Sequence, residues 1–71
     1  MAQITTKELG AIGDALAVEE TLISKYRYYA SIATDTVIKD KMDQMADRHQ
    51  RHFDELYSNI KKGESRWQSV I

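Results

Sequence analysis

Apolar residues recur through the first half of the chain at Leu9, Ile12, Leu16, Ile23, Tyr26, Ala30 and Ala33, alternating by three and four without a break once Glu19 is counted in the series. That spacing turns one side of an α-helix in a constant direction and predicts a helix over about residues 6–33. The second half repeats the pattern at Ile38, Met42, Met45, His49, His52 and Leu56, with Asp40, Gln44, Asp47, Arg51, Asp54 and Ser58 on the opposite face. A second helix over about residues 36–62 follows. Each series carries polar residues where apolar ones belong: Glu19 in the first, His49 and His52 in the second.

The boundaries are written in local chemistry. Thr5 with Glu8 three residues later is a capping-box pattern that satisfies free amides at a helix start. Gly10 and Gly13 fall within the first helix and each costs about 1 kcal/mol relative to alanine, which makes its first turns the weakest. Thr34-Asp35-Thr36 is the clear break before residue 60, and Asp35 is placed to cap the second helix. Lys61 and Lys62 suit a helix C-terminus, and Gly63 suits a left-handed cap that would end it. Residues 63–71 are then a tail, either disordered or docked through Trp67. The chain reads as a single domain spanning residues 1–71, and a connection of two or three residues makes its helices antiparallel neighbours.

Ala15, Val18, Leu22 and Tyr29 widen the apolar stripe of the first helix along one side. Two helices, each about 40 Å long at 1.5 Å per residue, cannot cover stripes this wide as a lone hairpin. Pairing of two hairpins about a two-fold axis gives an all-α four-helix bundle with one continuous core. The expected partner is therefore a second copy of the chain, as a homodimer or a higher homo-oligomer.

Composition narrows the remaining choices. Seventy-one residues make one small domain, which needs some staple beyond its own core. With no cysteine, neither a disulfide nor a thiolate metal site is available. A net charge of -1 with interspersed signs gives no footprint for nucleic acid. No apolar run approaches the roughly 20 residues that span a bilayer, and the first residues lack the order of a signal peptide, so the expectation is a protein that is not exported by that route. There is no Ser-His-Asp set, phosphate-binding glycine loop or paired carboxylate, and no catalytic residues are assigned.

The candidate chemistry lies in the misplaced polar residues. Folding back at Thr34 and Asp35 sets Glu19 level with about position 50, between His49 and His52. Histidines three apart stand one turn apart on a helix and can aim at one ion, and a facing carboxylate completes a three-ligand set. In a two-fold dimer the set doubles to two glutamates and four histidines. Such donors suit iron, zinc, copper, nickel or manganese better than calcium or magnesium. Tyr26, on the same face as Glu19, is placed to support the ligands by hydrogen bonding. The competing reading is a structural or interaction subunit in which Glu19 simply accepts hydrogen bonds from the histidines and fixes the register of the core, without metal. Met42, Met45 and Phe53 read as core filling, and Glu20 and Glu55 as solvated edges.

Glu19-x6-Tyr26, continued as Arg27-Tyr28-Tyr29-Ala30-Ser31, resembles the first iron-binding helix of rubrerythrins and other ferritin-like proteins. Ala46-Asp47-x4-His52 resembles their second helix, where a Glu-x-x-His motif supplies ligands. The resemblance puts Glu19 in the place of the first-helix glutamate and His52 in that of the motif histidine. His49 stands where the motif has glutamate, a departure from the usual di-iron donor set. About residues 6–60 are covered, half of a ferritin-like bundle. The length and the opening Lys7-Glu8-Leu9-Gly10-Ala11-Ile12-Gly13-Asp14 are similar to small proteins grouped with bacterial spore coat protein F. What the resemblance implies is a ferritin-like bundle made by dimerisation, bound iron, zinc or manganese with weak oxidase or peroxidase activity toward iron, and a place in the cytoplasm or the spore coat among other coat proteins.

Overall fold

A computed structural model describes the backbone of residues 4–70 and the side chains as far as Lys61. Two helices, α1 (Thr6–Ile32) and α2 (Thr36–Val70), form an antiparallel hairpin with extents of 54 × 15 × 13 Å, and the described residues contain no strand.

Both helix starts are made by the residues the sequence singles out. The Thr5 hydroxyl accepts from the Glu8 amide at 3.1 Å while the Glu8 carboxylate accepts from the Thr5 amide at 3.3 Å, so two amides that helix geometry leaves free satisfy each other's residue. Asp35 Oδ1 accepts from the amides of Val37 at 2.8 Å and Ile38 at 3.1 Å. One carboxylate thus ends the turn and starts α2, and a side chain capping an N-terminus also meets the favourable end of the helix dipole. The connection holds only Ala33, Thr34 and Asp35, too short for any arrangement but side-by-side helices.

Helix α2 does not stop at Lys62. It continues through Gly63 to Val70, so the expected glycine cap and the tail from residue 63 are replaced by further helix. A glycine inside a helix costs only about 1 kcal/mol, and the neighbouring Lys61, Lys62, Glu64, Arg66 and Gln68 are good helix formers with no proline among them. The docking expected of Trp67 concerns a side chain outside the described residues.

The interface between the helices is thin. Among the described residues only Ala30, 3% exposed, and Ala46, fully covered, are buried, and no large side chain is. Ile12, Leu16, Ile23, Met42, Met45, Phe53 and Leu56 are half-buried between the helices, as the periodicity requires. Leu9 and Ile38, placed by the same periodicity on the inner stripe, stand 46% and 52% exposed near the two ends of the hairpin. One helix alone cannot shield both flanks of another.

Those two flanks differ in chemistry. On one, Arg27 reaches across to Asp47 at 2.9 Å and to Asp43 at 3.5 Å. At about 100° per residue the opposite flank of α1 carries Val18, Leu22 and Tyr29, and that of α2 carries Ile38, Met45 and His52. Val18 is 58% exposed there and Tyr29 41%. The hairpin therefore has a polar edge bridged by ion pairs and an apolar edge that no described residue covers.

Candidate metal centre

Glu19 lies on the inner stripe of α1, where its side chain is only 16% exposed. A carboxylate in that position needs hydrogen-bond donors, and α2 supplies them at the matching height. His49 Nδ1 stands 2.6 Å from Glu19 Oε2 and donates to it in the tautomer that a carboxylate partner selects. His52 Nδ1 stands 3.7 Å from Glu19 Oε1, beyond hydrogen-bond length but within ion-pair reach. The two carboxylate oxygens thus face two different imidazoles. No buried side-chain polar atom among the described residues is left without a partner.

The histidines are held differently. His49 is 16% exposed, and the Tyr26 ring stacks on its imidazole with centroids 5.7 Å apart and planes 8° from parallel. His52 is 47% exposed and meets His49 edge to face, centroids 5.5 Å apart at 88°. The support expected from Tyr26 is therefore a ring face against His49, since no hydrogen bond joins Tyr26 to the three residues. Seven residues beyond Glu19 along α1, Tyr26 meets α2 with its ring before its hydroxyl can reach the carboxylate.

Taking one donor atom from each of Glu19, His49 and His52, the three atoms lie within 4.8 Å of one another, a group that could hold a metal ion. Donors sharing one ion at bonds of about 2.0–2.2 Å stand roughly 3.0–3.4 Å apart. The Glu19–His49 pair is already closer than that, so an ion would enter by replacing the proton between them or by turning the ring. The wider separations need a closure of about an ångström, which the half-exposed His52 has room to make. The three residues that the sequence singles out are the ones that the fold brings together.

Arg27 escaped the sequence reading, which left Asp47 on a solvent face. Counting from the turn at Thr34 and Asp35 sets Arg27 level with about position 42, next to Asp43 but more than a turn short of Asp47, so the long Arg27 side chain makes a pairing that equal counting does not mark. The pairs are about half exposed on the Arg27 side and contribute to the register of the hairpin more than to its stability.

No family model matches the chain, and no significant match exists among curated proteins or solved structures.

Proposed function

We propose that the chain binds one divalent transition-metal ion through Glu19, His49 and His52, and that it does so as a two-fold dimer whose four helices make a ferritin-like bundle. The observation that carries the metal reading is the double engagement of one carboxylate, with an imidazole at 2.6 Å from one oxygen and another at 3.7 Å from the other. A register key would need only one such contact. Two imidazoles and a carboxylate are a donor set for iron, zinc or manganese, and a bound ion would supply Lewis acidity or, for iron, redox chemistry. Glu19 would bring the neutralising charge, His49 the fixed imidazole and His52 the adjustable one.

Dimerisation is the simplest cover for the apolar edge. With only two small residues buried among the described residues, the hairpin exposes much of its apolar stripe as a monomer, and a second hairpin related by a two-fold axis would lay the same edge against it. His52 sits on that edge, so the two sites of a dimer would face each other across the axis.

A metal-free structural role is the second reading, and the 2.6 Å Glu19–His49 hydrogen bond favours it by showing that the carboxylate is satisfied without an ion. Magnitudes argue that this bond does not prevent binding. A hydrogen bond to a charged group contributes about 1.5–3 kcal/mol, whereas zinc in small structural sites contributes about 10–16 kcal/mol at neutral pH. Protein purified without chelator or affinity tag and analysed by plasma mass spectrometry and sedimentation equilibrium tests both parts. One transition-metal ion per chain in a dimer is the expected result; a metal-free dimer would leave the structural role, and a stable helical monomer would remove the bundle.

A further inference from the structure

The rim of the apolar edge carries opposite charges. On α2, Arg48, His52 and Glu55 follow one another at four and then three residues, which places them in a line along the helix, and all three are exposed. Neither Arg48 nor Glu55 takes part in an ion pair among the described residues. They cannot reach each other, because seven residues of helix hold them about 10.5 Å apart along the axis, whereas pairs on one helix form at three or four residues.

Two opposite charges equidistant from a midpoint are complementary to their own copy under one symmetry operation. A two-fold axis that crosses the helices at that midpoint, beside His52, runs α2 of a second copy antiparallel to the first and sets Arg48 against the partner's Glu55. The pair then forms twice. Equal counting from the turn puts Val18 of α1 at the same height, so the same axis brings together the Val18 residues of the two copies, each 58% exposed in the single chain. Lys25 on this flank holds its ammonium 5.8 Å from the centroid of the Tyr29 ring and falls opposite Gly10 and Ala11 of the second copy, which bring no like charge. Lys41 falls level with Lys62, whose side chain lies outside the described residues.

The other two-fold that covers this edge runs parallel to the helices and lays α2 of one copy on α1 of the other. Equal counting from the turn then sets Glu55 level with Asp14, a like charge, and Arg48 level with Thr21, which carries none. Charges at the flanks of packed helices set partner and orientation, and like charges brought together reject the wrong arrangement. We infer that the apolar edge is a self-recognition surface for a second copy of the chain with α2 antiparallel to α2, and that Arg48 and Glu55 select that orientation. The inference rests on the dimer reading above, fixes the axis that it leaves open, and does not depend on metal.

The test uses whole chains carrying Arg48→Glu, Glu55→Arg, or both substitutions, studied by sedimentation and native mass spectrometry at low ionic strength. Each single variant sets like charges together twice in its own dimer, and its dissociation constant is expected to rise about tenfold or more. Mixed in equal amounts, the two single variants regain both opposite-charge contacts, so heterodimers of distinct mass are expected to form about as tightly as the native dimer. The chain carrying both substitutions is expected to dimerise like the native one, which keeps the test decisive if a single variant folds poorly. Single variants that dimerise as well as the native chain, a mixture that gains nothing, or a double variant no tighter than the singles would overturn the pairing while leaving the dimer intact. A native chain that stays monomeric would overturn the dimer reading and this inference with it, so the two failures are distinguishable.

Discussion

Glu19 Oε2 and His49 Nδ1 stand 2.6 Å apart although thirty residues separate them in the chain. The contact ties the middle of α1 to the middle of α2 and draws a carboxylate into a seam that is otherwise apolar. Replacing His49 by alanine removes the one close donor to that carboxylate among the described residues and should destabilise the metal-free protein by about 1–3 kcal/mol. His52→Ala, which removes a longer and more exposed contact, should cost less. Urea unfolding of both variants in the presence of chelator checks the order, and equal losses would contradict it.

The cap of α2 gives a second expectation. Asp35→Ala leaves the amides of Val37 and Ile38 without their shared acceptor, at a cost of about 1 kcal/mol, and Asp35→Asn should recover most of it. Thermal unfolding followed by circular dichroism reads this directly.

Gly13 lies inside α1, and a methyl group built there meets nothing within 4 Å. Gly13→Ala should therefore stabilise the hairpin by about 0.5–1 kcal/mol through backbone entropy alone. A loss of stability would mean that the apolar cover over this part of α1 is tighter than the single chain shows.

The polar edge predicts a small, salt-sensitive coupling. A double-mutant cycle of Arg27→Ala and Asp47→Ala should return about 0.2–1 kcal/mol at low ionic strength and less in high salt, as for other exposed ion pairs.

The hairpin, its turn and its three convergent residues were legible in the sequence because each rests on short-range rules: a period near 3.6, a Thr-x-x-Glu box, and equal counting from Asp35. Glu19, His49 and His52 stand out because a polar residue in an apolar series has few bland explanations. The end of α2 was not legible. Gly63 is compatible with both a left-handed cap and a helix interior, and a difference of about 1 kcal/mol is outweighed by flanking helix formers. The mode of contact of Tyr26 was not legible either, since position on a face does not say whether a ring plane or a hydroxyl arrives first. Arg27 illustrates a third limit: long flexible side chains reach across an interface to partners that periodicity does not mark.

The central claim is that Glu19, His49 and His52 bind metal in the folded state, and metal-dependent thermal unfolding tests it most directly. Ligand that binds only the folded chain at a hundred times its dissociation constant stabilises by about 2.7 kcal/mol, a rise of roughly 10–20 °C for a domain of this size. Zinc, manganese and anaerobic iron(II) are added in turn to the native protein, to His52→Ala and to the outer-face control Arg51→Ala. The account predicts a rise for the native protein and for Arg51→Ala with at least one of these ions, and its loss in His52→Ala. Identical melting curves for the native protein with and without every ion would contradict it.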